Sequence, residues 1–352
     1  MGRDTRLADP RGAGYRMPAE WEPHAATWLA WPHNADTWPD DLDKVRHTWV
    51  EMIRALTGAE RVELLVNDAA SEDAAAAALR RGGVDPRNVA FHRIATVDVW
   101  IRDYGPTFIT RADPARPLAL VNWGFNAWGR KYPDYVADDA VPPRINESLG
   151  LPAFTPGIVL EGGSIDVNGA GLCLVTEECL LNPNRNRALG RDDIEALLRS
   201  ALGVGRVLWL PAGMAGDDTD GHVDNLARFV DAGTVVCVVE PDPEDENHGA
   251  LQENYRCLKA AVDPSGRRLR VVTLPQPDPL TAAGSRLPAS YANFYIANGV
   301  VLVPLYGGPR DRVALDTLAE LFPGRRVAGI DARALILGLG GLHCVTQQQP
   351  LT

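Results

Sequence analysis

Residues 294–305 read FYIANGVVLVPL: a short apolar run, a tight turn and a second apolar run. Two further stretches repeat the pattern, IDVNGAGLCLV at 165–175 and RFVDAGTVVCVV at 228–239. Turns of the type ANG, VNG and DAG between β-rich runs are hairpin signals, because Gly and Asn tolerate the positive φ such turns demand. The turn glycines Gly169, Gly233 and Gly299 are spaced 64 and 66 residues apart. A looser hairpin runs from PTFIT (106–110) to LALVNW (118–123). Recurrence at a fixed period marks a modular architecture, so it constrains the fold before any local reading does.

Helical patterns lie between the hairpins. Residues 41–56, DLDKVRHTWVEMIRAL, place apolar side chains at 45, 49, 52, 53 and 56, one face of a helix. Residues 73–81, 192–202, 250–262 and 312–322 carry further helical patterns, and RVELLV, RVLWLP and RVVTLP read as short strands beside them. A unit of about 65 residues mixing hairpin, helix and strand fits five times into 352. The expectation is an α/β fold of five modules around an axis, a propeller-like closure that protects sheet edges. A doubly wound α/β sheet is the alternative. No linker or low-complexity stretch divides the chain. Residues 1–352 are therefore read as one domain, with 1–16 a poorly ordered N-terminal extension.

Composition narrows the function classes. Hydrophobic residues make up 45% and charged residues 23%, ordinary values for a globular protein. No apolar run is long enough to span a membrane, and the polar N-terminus lacks the apolar core of a secretory signal. The net charge of −11 argues against nucleic acid as a partner and is compatible with a cationic ligand. The five cysteines form no CxxC pair, which reads as a reduced, cytoplasmic chain. A homo-oligomer is compatible with the sequence, which shows no coiled coil or interface stripe.

Polar residues recur just before or within the first strand of each hairpin. Asp103 lies in DVWIRDYGPTF, Glu161 in LEGGSIDVNG, and His222 and Asp224 in DDTDGHVDNLARF. Cys344 follows ALILGLGGLH, which reads as a last apolar strand. Modules related by rotation would bring these starts to one pocket. A thiolate is a nucleophile, and a histidine can shuttle protons beside it. Carboxylates beside that pair suit a cationic substrate, because a guanidinium fork matches carboxylates bidentately. The set points to thiolate attack on an amidine carbon with loss of ammonia. Each residue also has a bland reading. Cys344 could be a buried inert thiol, His222 and Asp224 a core pair on one face of a strand, Asp103 a partner of Arg102, and Glu161 a turn acceptor. His343 adjoins Cys344, but neighbours on a strand face opposite ways, which favours His222 as the base. Cys173, Cys179, Cys237 and Cys257 read as core.

In order along the chain, MPAEWEPHAATWLAWP, DVWIRDYGPTF, EGGSIDVNG, DTDGHVDNLARFV, NFYIANG and HCVTQQQP resemble the agmatine deiminase and bacterial peptidylarginine deiminase family. That family belongs to the guanidino-group-modifying enzymes of pentein fold. The resemblance spans about Met17 to Pro350 and implies a five-bladed α/β propeller with pseudo-fivefold symmetry. It implies Cys344 as nucleophile, His222 as general acid/base, Asp103 and Asp224 as the carboxylates holding the guanidinium, and Glu161 as the acid orienting the histidine. Trp100 would wall the substrate's methylene chain. The implied reaction takes agmatine and water to N-carbamoylputrescine and ammonia through a thiouronium, with no metal or organic cofactor. Agmatine-specific members tend to carry Glu at the position of Asp218, Asn at that of Asp220, and GGGNIHC where this chain has GLGGLHC. Asp218 or Asp220 could pair with a primary ammonium, and a peptidylarginine or another guanidino compound stays open as substrate. An amidinotransferase and a non-catalytic pentein binding protein are the remaining readings.

Overall fold

In the computed structural model, which describes residues 9–352, each hairpin begins one repeated unit. Strands Asp166–Val167 and Leu172–Thr176 pair antiparallel, helix Arg191–Leu202 crosses over, and Arg206–Leu210 returns parallel to the second strand. The order repeats for Ala227–Phe229, Thr234–Val239, helix His248–Ala260 and Arg270–Pro275. It repeats again for Tyr295–Ala297, Val300–Leu305, helix Arg310–Leu321 and Arg326–Asp331. The looser hairpin, Thr107–Thr110 with Leu118–Val121, is completed by helix Val141–Leu149 and the short strand Ala153–Phe154.

The remaining unit draws on both ends of the chain. Gln347–Pro350 pairs antiparallel with His24–Ala30, helix Leu42–Leu56 crosses over, and Arg61–Val66 lies parallel. Helix Ala69–Arg81 then leads to one more parallel strand, Val89–Arg93. No two units share a sheet among the described residues. The architecture is therefore the pseudo-fivefold pentein propeller and not a single doubly wound sheet. Among the described residues no helix is long and apolar enough to cross a membrane.

Local chemistry accounts for these elements. The predicted face of helix Leu42–Leu56 is real: Val45, Trp49, Met52, Ile53 and Leu56 are fully buried. Helix Ala69–Arg81 starts earlier than its apolar pattern, because the Asp68 carboxylate accepts from Ser71 N and caps it. Helix Val141–Leu149 has no clear apolar repeat in sequence. Prolines in its first turn and Gly150 at φ 63° after its end mark it instead. Of the three turn glycines, Gly169 and Gly299 do adopt positive φ. Gly233 does not: Asp231 Oδ1 accepts from the amides of Gly233 and Thr234 and shapes that turn.

The expected N-terminal extension is partly corrected. Residues 1–8 lie outside the described residues, but 9–16 pack onto the units that begin at Thr107 and Asp166. Arg11 N donates to Ser200 O, the ring of buried Tyr15 meets Phe154 edge-on at 5.6 Å, and Arg16 bridges Thr110. An aromatic ring with so apolar a neighbour does not stay in solvent.

Where the units meet, their first strands are joined by charge. The Arg228 guanidinium, fully buried, donates from Nε to Asp166 and from Nη1 to Phe294 O at 2.9 Å. Its Nη2 faces Glu20 Oε1 at 2.8 Å. Glu20 also accepts from Ile296 N at 2.8 Å and faces Arg102 Nη2 at 3.5 Å, while Arg102 Nη1 donates to Gln348. These contacts touch all five units.

Arg228→Ala should lower the free energy of unfolding by about 3–5 kcal/mol, because it strands two buried carboxylates. Denaturant unfolding measures it. A loss below about 1 kcal/mol, the scale of an exposed pair, would mean the cluster carries little of the closure.

Candidate active site

The starts of the five units converge as their spacing implied, though not on strands. Asp103 sits in the helical turn Ile101–Tyr104 and Glu161 just before the turn Gly162–Ser164. His222 precedes the 3-10 turn Val223–Asn225, which carries Asp224, so the strand expected there is absent. The segment before Cys344 is likewise no strand: Leu335–Gly338 is a 3-10 turn, and residues 342–345 turn again before Gln347.

Gly163 shows how tightly the groups meet. A Cβ there would lie 2.6 Å from His222 Nδ1, 2.8 Å from Asp103 Oδ1 and 3.1 Å from Asp224 Oδ2. Only glycine leaves room for three ionisable groups, from the two units that begin at Thr107 and Ala227, around one point. Asp103 is fixed by Trp128 Nε1 donating to Oδ2 at 2.9 Å and Gly163 N donating to Oδ1 at 3.0 Å, with His222 Nδ1 at 3.6 Å. Asp224 Oδ2 lies 3.7 Å from Cys344 Sγ. The side chain of Asn293 reaches Sγ through Nδ2 at 3.2 Å, and its Oδ1 accepts from His343 N at 2.8 Å.

A cleft of about 330 Å³ opens onto this cluster. It is lined by Asp103 and Cys344, by the rings of Trp100, Trp128 and Tyr132, and by two further carboxylates, Asp36 and Asp218. The loop before Cys344 must lack side chains to form one wall. A Cβ at Gly340 would come within 2.2 Å of the Trp100 ring, and one at Gly341 within 2.4 Å of Asn293 Oδ1. His222, Asp224 and Glu161 stand behind the cleft surface. Behind His222 lie Glu161 and Cys179, both fully buried; a Glu161 oxygen, Cys179 Sγ and a His222 ring nitrogen are mutually within 4.8 Å.

Burial and neighbouring charges set the protonation states. Burial pushes Asp103 up to about 6, although the His222 cation opposes this. Burial works against a charged His222, but the Asp103 carboxylate overrides it and holds the imidazole protonated well above its ordinary range. Asp224 is held below the usual range: burial raises it, but the hydrogen bond and charge of His343 prevail. Burial pushes the Cys344 thiol well up, and the Asp224 and Asp103 carboxylates push the same way. Asp218 is raised by burial to about 6, with the Tyr132 hydroxyl donating to its Oδ2 at 2.6 Å.

Most of the residues singled out in the sequence are assembled here, with one correction. Asp220 is not in the cleft. It takes a left-handed backbone (φ 63°), and Lys131, Asn184 and Arg185 occupy both its carboxylate oxygens. Two contributors went unread. Asn293 holds the place before Tyr295 that Asp103, Glu161 and His222 hold in their units, so the repeat itself pointed to it. His343 has both nitrogens engaged, Nδ1 with Asp224 Oδ2 at 2.7 Å and Nε2 with Glu20 Oε2 at 2.8 Å. Both ring nitrogens are taken up by carboxylates, which leaves His343 no free nitrogen to offer a substrate.

Comparison with known proteins supplies context for this geometry. A family model described as Porphyromonas-type peptidyl-arginine deiminase matches residues 16–350. The agmatine deiminase of Stutzerimonas stutzeri is 40% identical over 369 aligned residues, covering 98% of each chain. The solved agmatine deiminase of Enterococcus faecalis superposes with a TM-score of 0.89 at 32% identity, covering 97% of this chain and 98% of that one. A substrate-bound Cys-to-Ser variant of the C. jejuni agmatine deiminase superposes at 0.85 with 31% identity, covering 95% and 96%.

The charges around Cys344 should make its thiol slow to alkylate at neutral pH. Asp224→Asn removes one opposing charge and should speed iodoacetamide labelling of the Cys344 peptide about tenfold for each unit the thiol falls. Mass spectrometry resolves that peptide from exposed Cys257. Equal rates in the two proteins would show that access alone, not charge, protects the thiol.

Proposed function

The chain belongs to the family of Porphyromonas-type peptidyl-arginine deiminases, and we propose that within it this protein is a cysteine hydrolase that deiminates agmatine. The observation that carries the reading is Asp218, a carboxylate sunk far enough from solvent for burial to raise it, which lines the same cleft as Asp103 and the thiol, where the other lining acid, Asp36, is exposed. Agmatine has a guanidinium at one end and a primary ammonium at the other, joined by an apolar chain. The cleft is lined by the carboxylates Asp103 and Asp218 and by the apolar rings of Trp100 and Trp128, groups that suit two cations joined by an apolar chain. Free arginine would bring its own carboxylate toward Asp218, and a peptidyl arginine would bring no cation there.

In this reading Asp103 and Asp224 grip the guanidinium and leave its central carbon facing Cys344. The arriving cation neutralises the carboxylates that keep the thiol protonated, so binding itself promotes the thiolate. Sulfur attacks the carbon to give a tetrahedral adduct. His222, held protonated beside Asp103, gives its proton to the departing nitrogen, and ammonia leaves a thiouronium. Neutral His222 then takes a proton from water as the oxygen adds to carbon. The C–S bond breaks, releasing N-carbamoylputrescine and regenerating Cys344. Glu161 orients His222 from behind and Asn293 holds the sulfur. The chemistry needs neither metal nor organic cofactor. The five free cysteines suit a reducing compartment such as the cytoplasm.

Ammonia release from agmatine, free arginine and a blocked arginine peptide tests the proposal. Agmatine should be preferred, and Cys344→Ala should lower the rate by at least ~10³-fold while leaving the circular dichroism spectrum unchanged. Preference for the peptide would move the assignment to a peptidylarginine deiminase, and turnover by Cys344→Ala would remove the nucleophile.

The acid limb carries a second test. Asp103 and Asp218 are both held at about 6, and only their ionised forms attract a cation. As pH falls through 6, kcat/KM for agmatine should drop with a slope approaching about two log units per pH unit. An alkylguanidine without the ammonium does not use Asp218, so its slope should stay near one. Equal slopes for the two substrates would take Asp218 out of ammonium binding.

A further inference from the structure

The side of His222 that faces away from the cleft has no role in the reading above beyond its neighbour Glu161. Two buried polar atoms there lack a hydrogen-bond partner, His222 Nε2 and Glu161 Oε2. His222 is 1% exposed and Glu161 0%. The other atoms of these side chains are committed: His222 Nδ1 faces Asp103 Oδ1, and Glu161 Oε1 accepts from Arg185 Nε at 2.6 Å. The third neighbour is Cys179, also fully buried, whose thiol lies against the imidazole. Among the described residues this is the one cluster of three such side chains whose ligand atoms lie mutually within 4.8 Å.

The three groups are held by separate pieces of backbone tied to one another. The Thr176 hydroxyl accepts from Cys179 N at 3.3 Å and donates to Gly221 O at 2.6 Å, locking the cysteine's turn to the residue before His222. His222 N is held by Asp217 and Thr219, and Glu161 by Arg185. The three side chains are buried and anchored, and His222 Nε2 and Glu161 Oε2 remain without a partner. A sulfur, an imidazole nitrogen and a carboxylate oxygen suit Zn²⁺, which binds such donors at about 2.0–2.3 Å. Mg²⁺ and Ca²⁺ prefer all-oxygen sets.

The geometry points to an inhibitory zinc site formed by Cys179 Sγ, His222 Nε2 and Glu161 Oε2, on the opposite side of the imidazole from the substrate cleft. A metal on Nε2 removes the position at which the ring gains its second proton. Nδ1 then carries the only exchangeable proton, and the ring cannot alternate between acid and base. Occupancy therefore stops proton transfer without touching Cys344 or blocking the cleft. With all three ligands shut from solvent, loading is slow and calls for long equilibration with the metal.

Binding is measured in a catalytically dead protein, Cys344→Ala with exposed Cys257→Ser, so it stands apart from the proposed function. Only the loss of turnover rests on that reading. This protein should take up one Zn²⁺ per chain by equilibrium dialysis and ignore Mg²⁺, and adding Cys179→Ala should abolish uptake. Co²⁺ in place of Zn²⁺ should give a thiolate-to-metal charge-transfer band that disappears in Cys179→Ser, the substitute if Cys179→Ala does not fold. In protein retaining Cys344, Zn²⁺ loading should abolish turnover and a chelator should restore it. Uptake that survives loss of Cys179, or that requires Cys344, would place the metal on the substrate side and overturn the site. No uptake by the Cys344→Ala protein would overturn it as well.

Discussion

A buried guanidinium without water is tolerable only when its charge and its donors are met, and Arg228 meets them with groups from three other units. Its partner Glu20 is pulled well below the usual carboxylate range: burial opposes this, but Arg228, His343 and Arg102 outweigh it. Glu20 and Asp224 in turn take up the two ring nitrogens of His343, and the Asp224 oxygen approaches Cys344. One chain of opposite charges thus runs from the junction of the units to the sulfur. The same contacts that hold five modules in register also set the orientation and ionisation of an acid at the reactive centre. Fold and site are electrostatically one object.

The architecture was legible because its signals are local and repeated. Three hairpins with small-residue turns, a fourth with a looser connection and five amphipathic stretches sufficed to suggest rotated units. What escaped reading depends on distance or on exceptions to pattern. The closing unit is split between the chain's two ends, so no window of sequence contains it. Helix Val141–Leu149 hides behind a proline pair that reads as a break until its place in the first turn is known. Residues 9–16 look like a solvated tail, and only the groove beside Phe154 gives Tyr15 a reason to settle.

The site was legible in the residue types and less so in their geometry. Asp103, Glu161, His222, Asp224 and Cys344 do converge, but on turns, because a strand would send alternate side chains apart. Only on such a strand would His343 point away from the partners of Cys344, and residues 342–345 form a turn. His343 is excluded as a base instead by the two carboxylates that occupy its nitrogens. Asp220 and Asp218 are two residues apart and looked interchangeable. A left-handed turn and a nearby Lys131 send them to different fates, which no pattern of charges in one dimension encodes.

The pairing of Gln347–Pro350 with His24–Ala30 has a consequence for how the protein comes into being. The strand that closes the ring directly follows Cys344, so the thiol is made after every other residue that lines the cleft. Until it emerges, the early units have Asp103, Glu161, His222 and Asp224 but nothing for them to act with. A nascent or prematurely terminated chain that lacks Cys344 thus has an unfinished cleft, however well its first modules have folded. When the thiol does appear, the step that buries it against oxidants is the step that completes the sheet. Synthesis order thus ties the burial of this thiol to the closing of the ring.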